Sequence, residues 1–207
     1  LVEKIAVYGI SPPDDKDPLS AALKMADKDW WTGRLRQLQA QYHDTISRDI
    51  GLVSKKVDSY SGRNTVLIHR AQQERNKTYM ENTELRNTKG ETISLAEIAE
   101  HNLSNPEIRN AEFMVRIKGF EQVSQIYGHT AQFITLTTPS RFHCTKSSGF
   151  KNQKFDGSTV ADGQKWLKSK WALIRAKLHR KGITPYGFRI VEPHHDGTPH
   201  WHMLLFI

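Results

Sequence analysis

Residues 188–207 read FRIVEPHHDGTPHWHMLLFI, and the pattern of this stretch decides the fold of the region around it. Its two ends, Phe188–Glu192 and His200–Ile207, are rich in β-branched and aromatic residues. Between them lies a turn cluster that contains Asp196-Gly197 and has a proline on either side. Strand-forming runs that flank such a cluster predict a β-hairpin.

The second strand of this hairpin carries two histidines, His200 and His202, on one face. Side chains alternate along a strand, so the two imidazoles stand roughly 7 Å apart along it, close enough to lean onto one cation. The alternative interpretation is that one histidine is a hydrogen-bonded core residue and the other points to solvent. Both interpretations remain open at this point.

The length of the hairpin loop decides whether a third ligand joins the two histidines. A two-residue loop would place Glu192 opposite Trp201, on the wrong face. A three-residue loop or one bulge places Glu192 opposite His202 and His194 opposite His200. We therefore predict a bulged or odd-length loop that brings Glu192, His200 and His202 together, with His194 as a reserve ligand. Two histidines and a carboxylate suit a divalent ion such as Mn²⁺, Mg²⁺ or Zn²⁺.

Composition and charge indicate a soluble chain with a polyanionic partner. The 207 residues are 37% hydrophobic and 25% charged, with no apolar run long enough to span a membrane. The single cysteine, Cys144, excludes an internal disulfide framework. Residues 141–191 contain 12 Lys and Arg against two acids, so the net charge of +8 is concentrated beside the hairpin. The basic residues expected to contact nucleic acid are Arg141, Lys146, Lys151, Lys154, Lys168 and Arg175.

The N-terminal part of the chain is predicted to be mainly helical. A long helical pattern runs from about Leu19 to Ile50, and Trp30 and Trp31 begin its apolar stripe as expected core anchors. The stripe continues through residues at helical spacing, namely Leu35, Leu38, Tyr42 and Ile46.

Two further helices are predicted near residues 94–127. A capping box starts the first at Ser94, and Pro106 lies in the first turn of the second. The apolar face of the second helix is predicted to contain Ile108, Ala111, Val115, Gly119, Val123 and Ile126. The pair could form a helix-turn-helix reader of DNA. An ordinary helical hairpin is favoured, because the second helix lacks an exposed basic row.

The C-terminal part predicts a small mixed sheet. Strands are expected near residues 132–138, 186–193 and 200–207, with a helix from near Val160 to Arg180 between the first two. In a split β-α-β layout the first strand lies beside the third, which places the histidine strand in mid-sheet. The predicted fold is therefore α+β, with a helical region over residues 1–130 followed by a sheet domain over residues 131–207.

Two motifs in this sheet domain resemble a known family. FITLTTPSRFH, which begins at Phe133, and YGFRIVEPHHDGTPHWHMLLF, which begins at Tyr186, resemble the phage replication gene A protein family. Its members are rolling-circle replication initiators of the HUH endonuclease class. The match covers roughly residues 94–207 well and the N-terminal helices more loosely. His200 and His202 match the histidine signature of the class, and Glu192, eight residues upstream, matches the spacing at which related viral initiators place their third metal ligand.

The resemblance implies a metal-dependent nickase that acts on single-stranded DNA at a replication origin. Mg²⁺ or Mn²⁺ is the expected ion, a host replication protein such as a helicase is a further candidate partner, and the expected location is the bacterial cytoplasm. A tyrosine would attack the DNA and leave a 5′-phosphotyrosine. In the family this residue follows the histidine motif, whereas all six tyrosines here precede it. We therefore expect the nucleophile, and the rest of the HUH domain, to lie beyond Ile207 in a longer protein.

Two other functions fit the same residues. A zinc hydrolase could use the two histidines and either Glu192 or His194 with an activated water. A non-catalytic DNA-binding module would use the histidines only as structural residues. Metal binding and the nature of any cleaved DNA ends distinguish the three hypotheses.

Overall fold

The computed structural model describes residues 9–13, 17–103 and 105–207. Within these ranges the chain forms six α-helices and two antiparallel sheets, which confirms the α+β class. The helices are α1 Pro18–Ala26, α2 Lys28–Asp49, α3 Arg63–Glu81, α4 Leu95–Glu100, α5 Pro106–Tyr127 and α6 Val160–Arg180. The strands are β1 Glu84–Arg86, β2 Thr92–Ser94, β3 Ala131–Thr137, β4 Tyr186–Pro193 and β5 Pro199–Phe206, and a 3₁₀ turn spans Ser140–Phe142.

The long N-terminal helix of the prediction is divided in two at Asp27. The backbone N–H of Asp27 closes the last turn of α1, and its carboxylate accepts the Asp29 N–H at 3.0 Å at the start of α2. Aspartate suits this junction because its side chain replaces a missing backbone acceptor. The division is therefore made by a polar residue inside an otherwise continuous helical pattern.

The apolar stripe of α2 is covered only over its first half, as far as Leu38. Trp30 and Trp31 are partly buried against Met25, which confirms them as core anchors. Tyr42 and Ile46, further along the same stripe, are 65% and 51% exposed. Amphipathic spacing thus identified the helix but not the extent of its contact surface.

The three long strands form one sheet in the order β3-β5-β4. β5 is antiparallel to both neighbours, so β3 and β4 run in the same direction and α6 connects them. This is the predicted split β-α-β arrangement, with the histidine strand in the middle. The register pairs Thr135 with His202 on one side of β5 and Ile190 with His202 on the other.

The two faces of this sheet have different chemistry. Trp201, Met203 and Leu205 alternate with the histidines along β5 and are buried against Leu167 of α6. The Trp201 indole N–H donates to Gln164 Oε1 at 2.9 Å, so the ring is both buried and satisfied. The opposite side, called here the histidine face, carries the side chains of His200 and His202.

Helix α5 covers the end of the histidine face that is remote from the histidines. Its Phe120 ring lies 4.9 Å from Phe188 and 5.5 Å from Tyr186, measured between ring centroids. The predicted apolar face of α5 is wrong at Val115 and Ile126, which are 71% and 76% exposed, although Ile108 and Gly119 are half-buried. The aromatic rings of α5 turn towards the aromatic residues of β4, since such pairs bury more area than the aliphatic stripe could.

The β1–β2 hairpin is the one sheet element that the sequence did not predict within the described residues. It precedes α4, whose N-cap Ser94 accepts the Glu97 N–H at 3.1 Å as the capping pattern requires. None of the helices in the described ranges is long and apolar enough to pass through a bilayer. The division into domains at residues 130 and 131 stays a prediction.

Candidate metal centre

The hairpin loop between β4 and β5 has three residues, 195–197. The His194 N–H donates to the Thr198 carbonyl at 2.7 Å, and the Gly197 N–H donates to the His194 carbonyl at 2.8 Å. Gly197 has φ +78°, the left-handed conformation that such a loop requires and that glycine adopts without strain. The loop is therefore odd in length, as the sequence predicts.

This loop places Glu192 opposite His200, and not opposite His202 as predicted. The difference is two residues along the strand, because the loop is centred on Asp196 and not on Gly197. A shift of two leaves every side chain on the same face. The carboxylate therefore still lies on the histidine face, one pair closer to the loop.

The structure brings Glu192, His200 and His202 together. One potential ligand atom from each residue lies within 4.8 Å of the other two. The two imidazoles point their Nε2 atoms at each other across 2.8 Å, and His202 Nε2 lies 3.7 Å from Glu192 Oε2. Two nitrogens bound to one ion at about 2.1 Å each lie about 3 Å apart when the bond angle is near 90°. The donor set and its spacing therefore fit a divalent ion.

A hydroxyl on the neighbouring strand orients one of these imidazoles. Thr135 Oγ1 lies 3.0 Å from His202 Nδ1, on the strand pair that joins β3 to β5. A proton on Nδ1 would satisfy this hydrogen bond and leave the Nε2 lone pair for the ion, which is how ligand histidines are usually held. Phe133, two residues earlier, stacks on the His202 ring at 5.5 Å between centroids and is 70% exposed.

The electrostatics of the site favour a neutral imidazole at His200. Burial, followed by the charge that His202 can carry, lowers the pKa of His200 below its ordinary value, although Glu192 opposes this. A neutral ring is the form that binds metal. His200 Nδ1 is buried and has no hydrogen-bond partner among the described residues.

His194, the predicted reserve ligand, lies beside the group and does not belong to it. Its ring centroid is 4.4 Å from that of His200, but the convergent set contains only Glu192 and the two strand histidines within the described part of the chain. Burial and the neighbouring histidines lower the pKa of His194. It therefore packs as a neutral ring behind His200.

The buried carboxylate of Asp196, the central residue of the loop, was missed by the sequence interpretation, which treated Asp196 only as a turn residue. Asp196 Oδ1 accepts the Thr198 N–H at 3.1 Å, and Oδ2 lies 3.2 Å from His143 Nδ1. Burial raises the pKa of Asp196, but His143 and the Thr198 donors outweigh it and lower the pKa to about 2. The signal that could have found it is an aspartate before a glycine with a threonine two residues on, which is an Asx-turn pattern.

The predicted nucleic-acid contacts are distributed over two surfaces. Lys168 and Arg175 are exposed on α6, which packs against the sheet face opposite the histidines, so they do not lie beside the candidate ligands. Arg141 is paired with Asp156 at 2.5 Å. The other three predicted contact residues are lysines in the loop between the 3₁₀ turn and α6. The same loop contains Phe150, whose side chain is 66% exposed. These lysines are Lys146, Lys151 and Lys154.

The fold and this site define a split β-α-β protein with a candidate cation site of two histidines and a carboxylate on an open sheet face. A family model described as bacteriophage replication gene A protein (GPA) matches residues 11–207. The chain therefore belongs to the replication gene A protein family. No solved structure matches it significantly.

Similar proteins come from phages and prophages. The replication gene A protein of Escherichia phage 186 is 42% identical over 187 residues, which are 90% of this chain and 27% of that protein. Two proteins named probable replication endonuclease from a prophage-like region are each 35% identical: the one from Salmonella typhimurium over 97% of this chain and 24% of its own length, and the one from Shigella boydii over 89% and 23%. The chain thus spans about a quarter of the length of these relatives.

Proposed function

We propose that this chain forms the metal-binding part of a replication initiator that nicks one DNA strand at an origin. The observation that carries the proposal is the convergence of Glu192, His200 and His202 on the histidine face. Membership of the replication gene A family and the endonuclease names of relatives support the choice of DNA as substrate. The arrangement is the one expected for the HUH class and for rolling-circle replication.

A divalent ion at this centre would polarise the scissile phosphate and stabilise charge on its non-bridging oxygen. Residues around the centre would hold the three candidate ligand side chains in position. Thr135 fixes the His202 ring, and the backbone ladder of β5 sets the spacing between His200 and His202. Three protein ligands leave coordination positions for phosphate oxygens or water.

The DNA strand is proposed to cross the open half of the histidine face. Phe133 offers one exposed ring face beside His202, and base stacking on such rings binds single strands with little sequence preference. Lys146, Lys151 and Lys154 would neutralise phosphates nearby, aided by Phe150. A host replication protein remains a proposed partner of the full-length initiator.

The nucleophile is proposed to be a tyrosine of the full-length protein outside residues 1–207. The relatives are about four times longer than this chain, which leaves ample sequence for it. Tyr186 is at the far end of β4 from Glu192, packed on Phe206, and Tyr42 is exposed on α2. Attack by the tyrosine hydroxyl on phosphorus would release the 3′-oxygen and form the 5′-phosphotyrosine bond.

The test uses the full-length protein with a labelled origin oligonucleotide and Mn²⁺ or Mg²⁺. Nicking should yield a protein–DNA adduct that survives boiling in detergent, and Glu192→Ala, His200→Ala and His202→Ala should each lose it together with Mn²⁺ binding in calorimetry. His179→Ala, which removes an exposed histidine from α6, is the matched control and should retain both.

Two other outcomes would refute the proposal. Metal-dependent cleavage that leaves free ends and no adduct would favour the hydrolase. Unchanged DNA binding with no Mn²⁺ binding in the unmodified protein would favour the non-catalytic module.

A further inference from the structure

One arginine of the N-terminal helices reaches the loop of the metal hairpin. Arg48 lies in the last turn of α2 and is 2% exposed. Its Nε donates to the Asp196 carbonyl at 3.1 Å, and Nη2 donates to Thr198 Oγ1 at 3.2 Å. Nη2 also donates to the Phe142 carbonyl at 3.0 Å and Nη1 to the Ser158 carbonyl at 3.2 Å. The guanidinium therefore joins three segments around one loop.

This arrangement depends on the chemistry of arginine. A buried cation is costly unless its donors are satisfied, and here carbonyl and hydroxyl oxygens satisfy them. The guanidinium presents its donors in a fixed planar fork, whereas the lysine ammonium is a compact charge that cannot span the same oxygens. The contact is therefore specific to Arg48 and not to a positive charge in general.

The segment after α2 holds the other side of the same loop. The Tyr60 N–H donates to the His195 carbonyl at 3.2 Å. Tyr60 has φ +78° and is the only residue other than glycine with positive φ in the described ranges. Such a conformation is strained for a tyrosine and persists only where surrounding contacts impose it. Two successive loop carbonyls, those of His195 and Asp196, are thus bound by the N-terminal region.

We propose that Arg48 is a positioning residue for the candidate metal centre. Its guanidinium fixes the three-residue loop, and the loop length in turn keeps Glu192 on the histidine face. A change of one residue in register would turn the carboxylate to the opposite face. The inference rests on the proposed function, because it assigns the N-terminal helices a role in the geometry of that same site.

The experiment compares Arg48→Met, Arg48→Lys and Leu167→Ala in the full-length protein. Leu167→Ala is the matched control, since it weakens a fully buried contact on the opposite face of the same sheet. Three readouts are used: Mn²⁺ affinity by calorimetry, the visible spectrum of bound Co²⁺, and hydrogen exchange of the amides of residues 194–198.

Arg48→Met should weaken Mn²⁺ binding by about tenfold or more beyond the effect of Leu167→Ala, as loss of outer-shell support does. It should also alter the Co²⁺ spectrum and speed amide exchange in the loop, with Arg48→Lys intermediate. If Arg48→Met does not yield folded protein, Arg48→Lys carries the same comparison. Equal losses in the arginine variants and Leu167→Ala, with unchanged spectrum and exchange, would overturn the inference.

The same experiment distinguishes failure of the proposed function from failure of the inference about Arg48. Failure of the unmodified protein to bind Mn²⁺ would refute the proposed function. The exchange of the loop amides would then decide alone whether Arg48 holds the loop.

Discussion

Replacement of Asp196 by asparagine should destabilise the protein by about 2 kcal/mol at neutral pH and by much less in acid. The carboxylate is fully buried, and its contacts with His143 and Thr198 hold its pKa at about 2, against an ordinary value of 3.8. At about 1.4 kcal/mol for each unit of pKa, this difference corresponds to about 2 kcal/mol of folding free energy. Because the folded pKa is the lower one, the contribution is complete above about pH 4 and is lost as the pH falls through about 2.

Urea denaturation of the two proteins at a series of pH values between 7 and 2 measures this difference. The gap in the free energy of unfolding should be constant from neutral pH to about pH 4 and should close below it. Asp156→Asn is the control, because the pKa of Asp156 is also about 2 but its carboxylate is on the surface with Arg141, where water screens the interaction. A gap that does not depend on pH, or an equal loss in Asp156→Asn, would refute the reasoning.

Three further substitutions separate the roles of neighbouring residues. Thr135→Val should weaken Mn²⁺ binding about 10- to 100-fold in calorimetry by releasing the His202 ring, and an unchanged affinity would contradict this. Phe133→Ala should weaken binding of a single-stranded oligonucleotide by about 1–3 kcal/mol, measured by fluorescence anisotropy, while Mn²⁺ affinity stays constant; a matching loss of Mn²⁺ affinity would count against a stacking role. Leu167→Ala should cost about 2–5 kcal/mol in thermal or urea unfolding without a matching loss of metal affinity, and a negligible cost would show that α6 is not part of the core.

The parts of the fold that sequence predicted are those governed by local patterns. Helix α6 spans Val160–Arg180 as expected, with Leu167 buried, because its apolar spacing, its Thr159 cap and the glycine at residue 182 agree with one another. The alternation along β5 correctly separated Trp201 from His202. An odd number of loop residues was predicted correctly, because only such a loop places Glu192 on the same face as the two histidines. The predicted pairing was displaced by two residues, since Glu192 lies opposite His200 and not opposite His202.

The parts that sequence missed depend on contacts between distant residues. Arg48 donates a hydrogen bond to the Asp196 carbonyl, and the two residues are 148 positions apart in the sequence. No local sequence pattern indicates that they are in contact. The contact face of α5 was misassigned because a periodic pattern cannot show which partner a helix meets. Phe120 packs against Phe188 of β4, whereas Val115 of the predicted apolar face is exposed.

Both candidate imidazole ligands project from a strand whose backbone is bonded on its two sides, so the backbone positions from which they project are fixed by the ladder. The spacing of these two anchor points along the strand is consequently set before any cation arrives, and Thr135 orients the His202 ring. Small ions that accept ligands at about 2.0–2.1 Å, such as Mg²⁺ and Zn²⁺, match a narrow fixed opening, whereas Ca²⁺ prefers six to eight oxygens at about 2.3–2.6 Å. Discrimination by ionic radius would then depend in part on the main chain of β5, in addition to the chemistry of the three ligand side chains.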